Sequence, residues 1–364
     1  MSRVYNFNPG PATLPVAALE RAQQELLEYQ GTGMSILETS HRSKAYEAIN
    51  SEAEARIKRL LGLDDAYRVL FLQGGASLQF AMVPYNFLSE EATADYILTG
   101  SWSEKAYNEA GNFGTIYPIH VAATTRGVNY CRVPTPDEIE LSDEPAYVHI
   151  TSNNTIYGTQ WHEFPDVGEA PLVADMSSDI LSRPFDATKF SLIYAGAQKN
   201  IGPAGVTVVV LRESWLEKAN TSIPTILRYA THVKSNSLYN TPPVFPVYLL
   251  NLILEEMEQS GGLEAMGKRN EEKARHIYQA IDDNIEFYLP HATPESRSLI
   301  NITFRLTSDD LTKQFINEAA HEGMVGLKGH RSIGGIRVSL YNAMSVEGSE
   351  ALASFMRQFA SRNG

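Results

Sequence analysis

The chain carries a single cysteine, Cys131. No disulfide can close within it, and a zinc site built on several cysteines is excluded. Its nine histidines show neither HxxxH nor HExxH spacing, so no metal centre is expected. Long apolar runs are missing as well. No stretch approaches the twenty or so residues of a membrane span, and Met1–Pro11 contains no apolar secretory core. The expectation is a soluble, cytoplasmic protein. Positive charge is scarce: 30 Lys and Arg stand against 43 Asp and Glu, a net charge of −13. A chain this acidic offers no electrostatic footprint for DNA, RNA or an anionic membrane. Any anionic ligand must be met locally, by Arg, Lys or helix ends. Internal repeats and low-complexity tracts are absent.

What is present fits an ordinary globular protein. At 364 residues, 43% of them apolar and 20% charged, the chain has room for two domains and a large core. Residues 1–15, rich in proline and glycine, read as an extended arm. A helical pattern runs from about Val16 to Tyr29. Another runs from Ser43, where Tyr46, Ile49, Ala53, Ile57 and Leu60 recur at threes and fours until Gly62 stops them. Short β-branched runs then alternate with helical patterns. The runs are Val69–Leu72, Tyr96–Leu98, Tyr147–Ile150, Leu172–Ala174, Leu192–Ala195 and Val206–Leu211. Such alternation predicts an α/β fold, with a mostly parallel mixed sheet flanked by helices. A long amphipathic pattern from Leu263 to Ile281, with strands near 300–306 and 336–340, predicts a smaller C-terminal α/β domain. The boundary is drawn at Gly261, giving a large domain of residues 16–260 and a small one of 261–364.

The richest segment is Val173-Ala174-Asp175-Met176-Ser177-Ser178, followed by Leu192-Ile193-Tyr194-Ala195-Gly196-Ala197-Gln198-Lys199-Asn200. An acid and a lysine at adjacent carboxyl ends of a sheet face the crevice where α/β proteins bind ligands. A lysine amine can form a Schiff base, and a carboxylate can hold a pyridine nitrogen protonated. From those two residues alone, a plain ion pair at a strand end is the more ordinary reading. Other strand ends point cofactor-suited groups at the same place. Gln73-Gly74-Gly75-Ala76-Ser77 joins a strand to a helix start, where free amides hold phosphate. Trp102 offers an indole face to a flat ring. Thr155, after a further strand, offers a hydroxyl. On the substrate side, the dipeptide His-Arg occurs twice, at His41-Arg42 and His330-Arg331. Arg337 alternates with Ile336, Val338 and Leu340 along a strand. Guanidinium groups match carboxylate or phosphate bidentately. Arg337 is therefore assigned an α-carboxylate. His41, Arg42, His330 and Arg331 are assigned a distal anion.

Taken in order along the whole chain, these motifs resemble the phosphoserine aminotransferase family, in class V of the fold type I aminotransferases. The resemblance includes Asn6-Phe7-Asn8-Pro9-Gly10-Pro11, Ser40-His41-Arg42, Asn153 to Gly158, Tyr239-Asn240-Thr241-Pro242-Pro243 and Gly329 to Arg337. It implies a fold type I enzyme dependent on pyridoxal 5'-phosphate. Lys199 would carry the cofactor and Asp175 its ring nitrogen. Trp102 would stack on the ring and Thr155 would bond the phenolate oxygen. Ala76, Ser77 and Gln198 would hold the phosphate, joined by Asn240 and Thr241 from the partner subunit of a homodimer with shared sites. Some family members have Arg where Ser77 stands. The implied reaction moves the amino group of L-glutamate to 3-phosphohydroxypyruvate, giving O-phospho-L-serine and 2-oxoglutarate in serine synthesis. A related phosphorylated substrate on the route to pyridoxine is also implied for bacterial members. Three readings compete. A glyoxylate aminotransferase has no need of a second basic cluster. A cysteine desulfurase needs a mobile nucleophilic cysteine, whereas Cys131 reads as a buried strand residue. A non-catalytic relative has no reason to keep both Lys199 and Asp175.

Overall fold

Neighbouring residues of the strand Tyr67–Leu72 enter two different cores. Val69 and Phe71 pack with one cluster, Leu70 and Leu72 with another. That division explains why the strands read as continuous apolar runs: both faces of the sheet are covered by helices. The computed structural model describes residues 3–112 and 118–364, so the first two residues of the expected arm lie outside it. Its central sheet contains seven strands among the described residues. In spatial order they are Tyr67–Leu72, Thr207–Arg212, Phe190–Gly196, Leu172–Asp175, Tyr147–Thr151, Ala94–Leu98 and Ile119–Thr124. Only Thr207–Arg212 runs against the others. The carboxyl ends of the remaining six therefore open on one side.

Helix ends follow local chemistry. Ser43 caps the helix Lys44–Leu61 by accepting from the Tyr46 amide, and Gly62 ends it at φ 65°. The first helix is shorter than its pattern predicts, Val16–Gln24, because the chain turns to set Tyr29 edge-on against Tyr248. The strand Ile119–Thr124 has no clear signal in the sequence; its first three residues are only partly buried. Cys131 is not in a strand. It is half-buried in a bend that follows Asn129 and Tyr130, both at positive φ.

A third cluster gathers Ile302, Phe304, Phe315, Ile336, Val338 and Phe359 around a three-stranded antiparallel sheet. Phe7 of the arm belongs to this cluster, and Tyr5–Asn6 pairs in parallel with Met324–Val325. The arm is thus fastened to C-terminal residues rather than free. Polar contacts stitch the two parts together. Asn270, on the helix Gly262–Asp282, donates to Ser182 O at 2.8 Å and to Asn342 Oδ1 at 2.9 Å. The Asn342 amide donates to Asn200 Oδ1 at 3.0 Å, one residue past Lys199. One turn from Asn270, the fully buried Lys273 donates to Leu340 O at 3.0 Å and Tyr341 O at 2.8 Å.

Burial, reinforced by Arg269, pushes the Lys273 ammonium down to about 7. An unfolded lysine titrates near ~10.4. Between those values the unfolded chain binds a proton that the folded chain lacks, so this residue makes stability rise with pH. The slope contributed is at most about 1.4 kcal/mol per pH unit. Denaturant unfolding of wild type and Lys273→Met across that window should show a flatter dependence in the variant. Parallel slopes would mean that Lys273 stays protonated in the fold.

Candidate active site

Four strand ends bring their loops to one cavity of about 460 Å³. Gly75, Trp102, Thr155, Gln198, Lys199, His330 and Arg337 line it, with Pro9–Pro11 of the arm along one side. The arm is held there by Ala12 N donating to Gln198 O at 2.9 Å and by Tyr341 Oη donating to Pro9 O at 2.7 Å. A Cβ on Gly10 would lie 3.2 Å from Lys199 Cγ, so the arm passes close over the lysine stem.

Lys199 follows the strand Phe190–Gly196, and its Nζ donates to Thr155 Oγ1 at 2.7 Å. The same Nζ lies 5.3 Å from the Trp102 ring centroid. Burial pushes the ammonium down to about 8; Asp175 opposes that shift and Arg337 adds to it. Asp175 ends the adjacent strand and is 5% exposed. One of its oxygens, Oδ1, accepts from the Ser177 amide at 2.9 Å and the Ser177 hydroxyl at 2.6 Å. Ser177 Oγ in turn accepts from Gly196 N at 3.1 Å, which ties the acid to the end of the lysine strand. The other oxygen, Oδ2, makes no hydrogen bond among the described residues. Burial raises the carboxyl above its ordinary range, against the pull of Lys199 and Ser177.

The helix Gly75–Phe87 starts on the glycine turn itself. Gly74 and Gly75 make the turn at φ 89° and 65°, and a Cβ on Gly74 would strike Leu78 Cβ at 2.6 Å. No side chain caps this helix, so its first-turn amides, including those of Ala76 and Ser77, lack intrahelical partners. No atom comes within 4 Å of a Cβ built on Gly75, which leaves space over that end. An anion of phosphate size suits such a place.

Arg337, on the strand Ile336–Ser339, is 7% exposed. One guanidinium nitrogen donates to Thr155 O at 3.3 Å, while Nε is buried without a partner. Burial lowers its pKa, yet no carboxylate pairs with it among the described residues. A buried cation with an open donor suits an anionic ligand in the cavity. Trp102 Nε1 is likewise buried and unpartnered. These vacant donors, the free Asp175 oxygen and the open helix start fit a ligand that has a ring nitrogen, a phosphate and a carboxylate-bearing substrate.

The remaining sequence-derived residues fall into two groups. His330 lines the cavity and bonds Ser332 through Nδ1 at 2.7 Å. Burial lowers its pKa, and so do the nearby cations Arg337, Arg331 and Lys105. Arg331, next in the chain, is exposed and does not line the cavity. His41 and Arg42 do not line the cavity, and neither side chain makes a hydrogen bond or ion pair among the described residues. Asn240 Nδ2 donates to Gln73 Oε1 at 3.3 Å, and Gln73 Nε2 donates to Thr241 O at 2.8 Å, all within one chain. They stand beside the glycine turn without lining the cavity. Lys105 escaped the sequence reading. It lies 4.4 Å from the Trp102 ring centroid and has no acidic partner among the described residues. Its position three residues after Trp102, on one helix face, is the signal that could have found it.

The family model for aminotransferase class-V matches residues 4–352. A curated phosphoserine aminotransferase of Herpetosiphon aurantiacus is 58% identical over 361 residues, 99% of both chains. The solved phosphoserine aminotransferase of Bacillus circulans subsp. alkalophilus is 54% identical with a TM-score of 0.97, covering 100% of this chain and 99% of that one. A solved phosphoserine aminotransferase of Trichomonas vaginalis, described as bound to PLP, is 40% identical with a TM-score of 0.93, covering 98% of this chain and all of that one. Matched from end to end at this level, the chain belongs to the class-V aminotransferases, in their phosphoserine aminotransferase family.

Proposed function

We propose that this chain is a cytoplasmic, pyridoxal 5'-phosphate-dependent enzyme that moves the amino group of L-glutamate to 3-phosphohydroxypyruvate, reversibly giving O-phospho-L-serine and 2-oxoglutarate. The observation that carries the reading is a cavity lined by a lysine amine shifted to about 8 and a buried guanidinium without an acidic partner, with an acid that keeps one oxygen free at the end of the adjacent strand. When bound, pyridoxal phosphate supplies a carbonyl that joins amines and a ring that takes up the electrons left when a Cα–H bond breaks. Lys199 would hold the group, and its amine, near neutral in pKa, can take a proton and return it. The free Oδ2 of Asp175 is suited to a protonated ring nitrogen. Trp102 and Thr155 would flank the ring, and the first-turn amides at Ala76 and Ser77, with Gln198, would meet the phosphate. Arg337 has the donors for an α-carboxylate; Arg331 adds positive charge for the distal phosphate, and His330, held toward its neutral form, can offer a ring N–H.

The site is proposed to be shared in a homodimer. Its support is that His41 and Arg42 are without bonding partners in their own chain, while Asn240 and Thr241 stand beside the glycine turn but outside the cavity. A second copy would bring both pairs to the first copy's ligand. No helix among the described residues is long and apolar enough to cross a membrane.

Lys199→Ala should cut transamination at least about a hundredfold, since a general acid–base group contributes 10²–10⁴-fold. Its melting temperature should hardly change. In the cofactor-free wild type, the rate of pyridoxal phosphate capture should rise with pH and level off above about 8, because only the neutral amine attacks. Asp175→Asn should move that midpoint down, since the carboxylate holds the ammonium proton on. An upward move would reverse the sign assigned to this pair.

Arg331→Ala should lower kcat/KM for the phosphorylated keto acid by roughly tenfold to several-hundredfold, while sparing unphosphorylated hydroxypyruvate. Arg337→Ala should penalise both alike, because both have the α-carboxylate. Rates for the two keto acids in each variant decide it; the reverse pattern would exchange the two anion sites.

Mixing Lys199→Ala subunits with Asn240→Ala/Thr241→Ala subunits should restore activity. Each mixed dimer would then carry both lesions in one site and none in the other. No recovery, with subunit exchange demonstrated, would rule out the shared site.

A further inference from the structure

A second cavity, of about 370 Å³, shares Lys199 with the candidate active site and otherwise has walls of its own. They come from the start of the helix Val16–Gln24, the last turns of the helix Val244–Gln259, the helix Gly262–Asp282 and residues 342–347. Much of the lining is apolar: Leu14, Ile253, Met257, Met266 and Met344. Two opposite charges stand in it. Glu256 has one carboxylate oxygen, Oε2, shut off from solvent without a partner, and neither oxygen makes a hydrogen bond or ion pair among the described residues. Its helix neighbours differ sharply. Glu255 bonds Arg21 and Arg56, and Glu258 bonds Arg56 and Arg59. Arg269 reaches only Ser260 Oγ at 3.3 Å and Met266 Sδ at 3.9 Å. Its charge is felt at Glu256, but the two groups form no ion pair. Glu347 adds a second negative charge to the lining.

A carboxylate kept apart from nearby arginines and partly desolvated is costly unless something pairs with it. A metal ion is a poor candidate in so apolar a pocket. A ligand that has its own cation, its own anion and an apolar part satisfies all three features of the walls. The volume suits a small organic molecule. We propose that this cavity is a second ligand site, binding an aliphatic α-amino acid as its zwitterion. The ammonium meets Glu256, the carboxylate meets Arg269, and the side chain lies among Leu14, Ile253, Met257 and Met344. This inference goes beyond the transamination reading and does not depend on it.

Equilibrium dialysis of the holoenzyme with radiolabelled L-leucine tests it. Saturating 2-oxoglutarate is present throughout, since it has carboxylates for the catalytic cavity but no ammonium for Glu256. One leucine should bind per chain. Glu256→Gln and Arg269→Gln should each weaken binding at least about tenfold, the loss expected for one charge-assisted contact. The deaminated analogue 4-methylpentanoate should not compete. Arg269 is exposed at the mouth, so its substitution carries the test even if Glu256→Gln folds poorly. No binding tighter than ~10 mM under saturating 2-oxoglutarate, or binding indifferent to both substitutions, would each overturn the proposal.

Discussion

The electrostatic coupling between Asp175 and Lys199, which make no direct ion pair, is the constraint around which the rest of the molecule is arranged. Both groups stand at carboxyl ends of adjacent parallel strands, where they are shielded from water. Burial alone pushes each toward its neutral form, the acid upward and the amine downward. Their mutual attraction opposes both shifts. The outcome is a lysine that can lose its proton near neutral pH and an acid with one oxygen committed to Ser177 and the other free. A solvent-exposed pair would leave the amine protonated and a poor nucleophile.

Keeping that pair dry and oriented requires contributions from distant parts of the chain. The sheet sets the two strand ends side by side, and Ser177 links them through Gly196. The arm passes over the lysine stem because Tyr5–Asn6 pairs with Met324–Val325 and Tyr341 holds Pro9. Asn200, next to Lys199, accepts from the Asn342 amide and donates to Ile180 O at 2.6 Å. Arg337 reaches across from the small antiparallel sheet to the carbonyl of Thr155, whose hydroxyl accepts a hydrogen bond from the lysine amine. One threonine thus meets both the lysine and the arginine. The positive charge of Arg337 also helps hold the Lys199 ammonium low.

Much of this was legible because parallel strands declare their ends. A buried apolar run followed by Asp175, by Gln198-Lys199, by Gly74-Gly75 or by Thr155 places each group on one edge of the sheet. Trp102 came from the same logic. What escaped was non-local or context-bound. The two-residue pairing of the arm has no periodicity to read. The half-buried strand Ile119–Thr124 lacks the dense apolar pattern of its neighbours. Cys131 looked strand-like between Tyr130 and Val133, but left-handed backbone at Asn129 and Tyr130 bends the chain there. The two His-Arg dipeptides look alike in the sequence, yet only His330 lines the cavity of its own chain. Composition cannot say which copy of a basic pair a fold will use.

The most direct measurement of the central claim is reduction of the holoenzyme with borohydride, followed by peptide mapping. The reduced cofactor should be found on the peptide containing Lys199 and on no other. Label on Lys105, Lys273 or any other lysine, with Lys199 unmodified, would contradict the account.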